Sequence, residues 1–174
     1  MVSFYFKNPD DLIYLLGATN PELGASEYYQ MNQIKAGQIP KVDSEKARTL
    51  YDTYYQISQK SIISSAHDLS DGGLAIALSE AAFASNFGAK IDLQTMRKDL
   101  TIEEKLFSES ASRVLVTVRP EYQKQFEQSF KNHAYVLLGQ TTIEKDLVIQ
   151  SGNQTLISES CAELKSIWQN ALQF

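Results

Sequence analysis

The segment 65–74, with the sequence SAHDLSDGGL, carries residue types that could bind a phosphate or a metal ion. It combines acidic residues and a histidine with two adjacent glycines. Ile62 and Ile63 precede it, and apolar residues at helical spacing follow it as far as Ala82. The pattern predicts a junction at which an apolar segment becomes a helix, with the acids and glycines at the helix N-terminus.

Two interpretations of this junction follow from the residues alone. The first N–H groups of a helix lack intrahelical partners and the helix dipole is positive there, so anions are favoured, and Gly72 and Gly73 would allow close approach to the main chain. Asp68 could hold Mg²⁺, because hard cations select carboxylate oxygen and share it with phosphates. In the simpler interpretation, Ser70 or Asp71 is only a helix N-cap.

The elements that must position these residues are predicted from apolar periodicity and turn residues. Strands are expected at 3–6, 12–16, 90–93, 114–118, 134–138, 147–150 and 155–157, with turns at Gly139 and 151–153. Helices are expected after Ser26, from Asp43 or Ser44 to about residue 60, after 65–74 as far as Gly88, within 94–106, from Pro120, and at the C-terminus with Leu164, Ile167, Trp168 and Leu172. The long helix should bury Ala47, Leu50, Tyr51, Tyr54 and Ile57. Because no strict parallel crossover pattern appears, the predicted fold class is α+β, with a mixed sheet covered by helices.

Composition indicates one domain over residues 1–174, since 43% apolar and 10% aromatic residues suit one sizeable core. The net charge of −5 argues against a broad nucleic-acid surface. No run approaches the roughly 18 uncharged apolar residues that a membrane helix needs, and no secretory leader pattern appears. A cytoplasmic, membrane-free protein is expected. Cys161 has no companion ligand and is expected to be a packing residue.

Five segments, in order along the chain, resemble signatures of the C-terminal domain of phosphoribosylformylglycinamidine synthase, the amidine-forming ligase of purine biosynthesis. The central one resembles a motif specific to the second of the two tandem repeats in that family. The segments are Leu16-Gly17 with 22–28, Pro40 to Asp43, 65–83, Leu106 to Arg113, and Glu163 to Lys165 with Trp168 and Leu172. Together they span nearly all of the chain.

The resemblance implies an aminoimidazole ribonucleotide synthetase C-terminal-domain-like fold with partial ferredoxin-like topology. It implies a C-terminal synthetase-type domain, a fragment of a longer enzyme and inactive alone. The parent enzyme would use ATP to activate the formamide oxygen of formylglycinamide ribonucleotide as an iminophosphate, which ammonia from glutamine displaces. The implied partners are the preceding domains of the same enzyme and a glutaminase domain or subunit.

The resemblance also implies site residues. In family members with a second, non-catalytic ATP or ADP, the acid at Asp68 contacts its Mg²⁺ and the serine at Ser70 contacts the nucleotide. Gly72 and Gly73 are then expected beside the phosphates, while a preceding domain supplies most other ligands. His67 is a possible ligand-lining residue, and it is expected to orient or support the site because the family's catalytic histidine lies in another domain. No catalytic residue is expected in this chain.

A second set of ligand-lining residues is expected at Glu109 and Ser110, as a degenerate copy of a substrate-contacting segment in the paired domain. An alternative is that Glu109 forms a structural ion pair with Arg113. The family has glycine where this chain has Ala25, so a positive φ at that position would strain the alanine and argue against close ligand contact there.

Three hypotheses about function remain at this point. The first is a domain of the ligase, inactive alone. The second is a self-sufficient nucleotide-binding module, and the third a structural relic that packs against a neighbouring domain. An alternative is that the chain is a nucleotide-binding or structural module of a related phosphoryl-transfer synthetase. A domain separated from its partners is also expected to expose an apolar face and to self-associate.

Overall fold

Seven strands form one mixed sheet in the computed structural model, which describes residues 2–171. The strands are β1 (Leu12–Leu16), β2 (Ile63–Asp68), β3 (Gly88–Asp92), β4 (Val114–Val118), β5 (Tyr135–Thr142), β6 (Asp146–Ser151) and β7 (Gln154–Ser160). The helices are α1 (Glu27–Met31), α2 (Ser44–Ser58), α3 (Gly73–Phe83), α4 (Ile102–Phe107), α5 (Gln123–Phe130) and α6 (Cys161–Asn170). The strand order is β2-β4-β1-β5-β3-β6-β7, and only the β3–β6 pair is parallel. The predicted α+β fold is confirmed.

The central strands are buried on both faces, which explains their unbroken apolar runs. Because side chains alternate along a strand, Ile13 and Leu15 of β1 enter one core with α3, α4 and α6. Tyr14 and Leu16 enter a second core with α2 and α5. The sheet therefore separates two hydrophobic layers.

The predicted partial ferredoxin-like topology is visible in four of the strands. Their order is β2-β4-β1-β5, all pairs are antiparallel, and α2 and α5 share the core on one face. This matches a split β-α-β arrangement. The segment between β2 and β4 carries α3, β3 and α4. Strand β3 pairs with β5 and extends the sheet at that side, while α3 and α4 cover the second face of the sheet.

The sequence prediction was wrong at four positions in the fold. Residues 3–6 make only an isolated bridge between Ser3 and Ser65. Gly139 lies inside β5, where a Cβ atom would lie 1.9 Å from the carbonyl oxygen of Lys90, so glycine permits close strand pairing. Helix α3 ends at Phe83, before Gly88. Tyr51 is 46% exposed because the buried stripe of α2 is narrower than predicted.

Several local predictions are confirmed. Ser26 and Asp43 cap α1 and α2, with side-chain oxygens that accept the N–H groups of Tyr29 and Lys46. Cys161 is buried, and burial raises the pKa of its thiol, as expected for a packing residue. The predicted C-terminal helix is present as α6, although Leu172 lies outside the described residues. No helix within residues 2–171 is long and apolar enough to span a membrane.

Candidate functional site

The predicted junction is present as the turn between β2 and α3. Asp68 is the last residue of β2, an edge strand that pairs with β4 on one side. The Asp68 side chain is 86% exposed, and Ser70 and Asp71 are also exposed. Gly72 and Gly73 are buried at the start of α3. The junction therefore presents its acids and its serine to solvent and turns its glycines toward the protein.

The simple N-cap interpretation of this junction was wrong. The N-cap of α3 is Gly72, in the left-handed conformation at φ 76°, and it has no side chain with which to cap the helix. The carboxylate of Glu109 instead accepts the N–H group of Gly72 at 2.9 Å, and the N–H group of Gly73 donates to the carbonyl of Ser70 at 3.1 Å. A residue 37 positions away in sequence thus supplies the anion at the start of α3.

The two glycines are favoured by their backbone conformation, and Gly73 also by close backbone packing. Gly72 and Gly73 have φ values of 76° and 64°, which residues with a side chain rarely adopt. A Cβ atom on Gly73 would lie 2.5 Å from the carbonyl oxygen of Ser108, and one on Gly72 would meet the side chain of Ile76 at 2.2 Å. The start of α3 therefore packs directly against the chain that follows α4.

Gly73→Ala is expected to lower the free energy of unfolding by about 2 kcal/mol, because a left-handed alanine costs about 1–2 kcal/mol and the backbone must also shift. Gly152→Ala is the matched control, since Gly152 has φ 60° but the nearest atoms to its added Cβ would belong to the flexible side chain of Gln94. The control substitution should lower the free energy of unfolding by about 1 kcal/mol. Chemical denaturation measures both, and equal losses would contradict the packing role of Gly73.

His67 is held by a side chain of the helix that follows the junction. Its Nε2 lies 2.8 Å from the Oε2 atom of Glu80, and its Nδ1 lies 3.8 Å from the Oδ1 atom of Asp68. The ring of Phe4 contacts the imidazole edge-on, and the His67 side chain is only 16% exposed. This geometry supports the expected orienting role, because the imidazole links β2 to α3 beside Asp68.

Ser110 lies below the surface. It is 1% exposed, and its hydroxyl oxygen accepts the N–H group of Asn20 at 3.0 Å. The neighbouring Ser108 hydroxyl donates to the carbonyl of Asn20 at 2.6 Å. These bonds join residues 108–110 to the loop after β1. Ser110 therefore fixes residues 108–110 to the loop after β1. The Glu109 side chain extends from this segment to the start of α3.

The alternative of a Glu109–Arg113 ion pair was wrong. Arg113 is 1% exposed, and its guanidinium donates to the carbonyl oxygens of Ser108 and Ser110 and to the hydroxyl of Thr19. Burial lowers the pKa of Arg113 to about 10, while the negative charges of Glu22 and Glu109 oppose this shift. Arg113 makes no ion pair within residues 2–171, because backbone carbonyls already surround its donors.

The supporting function of Arg113 was not predicted from the sequence. Its only sequence signal was a lone basic residue at the entrance to the apolar strand β4, which is unusual where both faces of a strand are buried. The bond that the N–H group of Glu27, the first residue of α1, donates to Glu109 at 3.0 Å was not predicted either.

The suspected strain at Ala25 is present, since this residue has φ 61°. Ala25→Gly is expected to raise the free energy of unfolding by about 0.5–1 kcal/mol, because relief of left-handed strain exceeds the added entropy of the unfolded chain. Ala84→Gly is the matched control, because Ala84 has φ −78°. The control should be destabilised by about 0.5 kcal/mol, and thermal unfolding of both variants checks the opposite signs.

Few groups at the junction could hold a metal ion. Asp68 offers an exposed carboxylate, which is a ligand that Mg²⁺ prefers. No group of three or more His, Cys, Asp or Glu side chains in the described part of the chain could hold a metal ion. Asp68 could therefore supply only part of a metal ion's ligands.

Comparison with known proteins identifies the class of domain. The chain is an α+β domain with an exposed acidic strand-to-helix junction, and the family model described as AIR synthase related protein, C-terminal domain, matches residues 8–152. The chain belongs to this family.

A curated relative extends the similarity over nearly the whole chain. Phosphoribosylformylglycinamidine synthase subunit PurL of Alkaliphilus metalliredigens is 37% identical over 172 residues, covering 97% of this chain and 23% of that protein. The chain thus spans about a quarter of the length of the curated relatives that it matches.

Solved structures show the same fold. Thermotoga maritima PurL complexed with FGAR has a TM-score of 0.82 at 21% identity, covering 94% of this chain and 29% of that one. The same protein complexed with ATP has a TM-score of 0.75 at 20% identity, covering 94% of this chain and 27% of that one. The predicted aminoimidazole ribonucleotide synthetase C-terminal-domain-like fold is confirmed.

Proposed function

We propose that this chain is the C-terminal domain of a phosphoribosylformylglycinamidine synthase of de novo purine biosynthesis. That enzyme is a carbon–nitrogen ligase that uses ATP and glutamine-derived ammonia to convert formylglycinamide ribonucleotide to its amidine. The observation that carries the proposal is 37% identity over 97% of the chain to a synthase subunit PurL, of which it spans 23%. Residues 1–174 would then form one domain of a longer enzyme, next to its preceding domains and a glutaminase domain or subunit.

Within that enzyme, the β2–α3 junction would contribute to an auxiliary ATP or ADP site. Asp68 would hold Mg²⁺ and Ser70 would contact the nucleotide. Gly72 and Gly73 would lie near the phosphates without donating to them, because both N–H groups are bonded within the protein. Mg²⁺ would offset phosphate charge when bound. The exposure of Asp68 and Ser70 supports the proposal, because a second domain can reach both side chains.

The isolated chain would bind nucleotide weakly and would not catalyse the reaction. The imidazole of His67 already contacts Glu80 and packs against Phe4, which supports an orienting role beside Asp68. Glu109 and Ser110 make their contacts within the protein, which supports structural roles for them in this domain.

Domain replacement tests the proposed function. Residues 1–174 would replace the matching C-terminal segment of the Alkaliphilus metalliredigens PurL, and amidine formation from formylglycinamide ribonucleotide, ATP and ammonia would be measured. We expect the chimaera to form amidine, and the isolated chain to form none.

One result would contradict the proposed function. A chimaera that folds, binds ATP and still forms no amidine would show that this domain does not serve the synthase reaction. It would favour the alternative of a nucleotide-binding or structural module from a related phosphoryl-transfer synthetase.

A further inference from the structure

One carboxylate oxygen joins two helices at the candidate site. The Oε1 atom of Glu109 accepts the N–H group of Glu27 at 3.0 Å and that of Gly72 at 2.9 Å. Both N–H groups belong to the starts of helices, α1 and α3, where no intrahelical acceptor exists. An ionised acceptor strengthens such bonds. Glu109 therefore clamps α1 to α3 through N–H groups that have no partner within their own helices.

The clamp projects from a rigid turn. Arg113 donates to the carbonyl oxygens on either side of Glu109, those of Ser108 and Ser110. Beside the clamp, the rings of Tyr28 and Phe107 stack at 4.5 Å with an interplanar angle of 2°. Both the base of the Glu109 side chain and the helix α1 that it contacts are thus held by other parts of the fold.

The loop that carries the proposed ligands has few other supports. The Leu69 N–H group donates to the carbonyl of Arg113 at 3.1 Å, and the Gly73 N–H group closes a turn onto Ser70. The side chains of Ser70 and Asp71 make no hydrogen bond within the described residues. Apart from the packing of Leu69 against the core, the bond from Gly72 to Glu109 is therefore the side-chain contact that holds this loop.

We infer that Glu109 is the positioning residue of the nucleotide site, because its carboxylate holds the loop that carries Ser70 and adjoins Asp68. This role rests on the proposed function, although the clamp itself does not. Because the Gly72 N–H group already donates to Glu109, it is not free to bind a phosphate. The anion at the start of α3 is thus the Glu109 carboxylate, and the nucleotide is held through the cation at Asp68 and the hydroxyl of Ser70.

The test uses the 174-residue chain with Glu109→Ala and Glu109→Gln. The matched control is Glu103→Ala, because Glu103 is exposed in the first turn of α4. Hydrogen exchange of the Gly72 and Glu27 amides should accelerate together, roughly 10- to 100-fold, in Glu109→Ala. Glu109→Gln, which keeps an acceptor oxygen and the side-chain shape, should fall between that variant and the wild type. Added formate should restore protection in Glu109→Ala.

The second measurement is the affinity for Mn²⁺–ADP. We expect at least about a threefold loss in Glu109→Ala, equivalent to about 0.7 kcal/mol, and no change in Glu103→Ala. Exchange that changes at only one of the two amides, or at neither, would overturn the clamp. Equal Mn²⁺–ADP affinity in Glu109→Ala and the wild type would overturn the positioning role alone. No binding by the wild type would instead overturn the proposed nucleotide site, and with it the role of Glu109 there.

Discussion

Arg113→Met is expected to lower the free energy of unfolding by about 3–4 kcal/mol. The methionine fills a similar apolar volume but leaves the carbonyls of Ser108 and Ser110 and the hydroxyl of Thr19 without their donor. Each buried acceptor left unpaired costs about 1–3 kcal/mol. Removal of a buried charge returns part of this cost, since burial already lowers the pKa of Arg113 to about 10.

Urea unfolding of Arg113→Met measures this loss, and Arg48→Met is the matched control. The Arg48 side chain is 85% exposed and lies 4.0 Å from Asp52, so its replacement should change stability by less than about 0.5 kcal/mol. A loss below about 1 kcal/mol in Arg113→Met would contradict the assigned role. It would mean that the turn at residues 108–110 is stable without the hydrogen bonds of the guanidinium.

Asp68→Asn is expected to weaken the affinity for ADP in the presence of Mg²⁺ by at least about tenfold, because about 1.4 kcal/mol of carboxylate–metal interaction is sufficient for that change. Stability should not change, since the side chain is 86% exposed. Calorimetric titration measures the affinity at ADP concentrations in the millimolar range. Removal of Mg²⁺ with a chelator should weaken wild-type binding to the level of the variant.

Asp71→Asn is the matched control for Asp68→Asn. Asp71 is exposed in the same turn, and its replacement causes the same change in net charge. If both variants lose affinity equally, the effect is one of local charge, and the assignment of the metal to Asp68 fails.

Much of the fold could be predicted because the decisive signals are local. The unbroken apolar runs of β1 and β4 indicated buried strands, and Ser26 and Asp43 marked two helix starts through their capping side chains. The position of the β2–α3 junction followed from the change from an apolar segment to helical spacing. The class of domain followed from the family resemblance and was confirmed.

The interior of the site could not be predicted because its contacts join residues far apart in sequence. The Glu109 carboxylate accepts from Gly72 and Glu27, which are 37 and 82 positions away. No local pattern distinguishes that clamp from an ion pair with Arg113, four residues further along. The glycines also looked suited to close ligand approach, whereas the tight neighbour of Gly73 is the backbone at Ser108.

Paramagnetic broadening of backbone amide signals by Mn²⁺–ADP shows whether the β2–α3 junction holds a metal–nucleotide complex through Asp68, because it reports weak binding and its location together. We predict selective broadening of the amides of residues 69–73 in the wild-type chain, and its loss in Asp68→Asn but not in Asp71→Asn. Broadening at those amides that survives in Asp68→Asn, or broadening centred elsewhere in the fold, would contradict the claim.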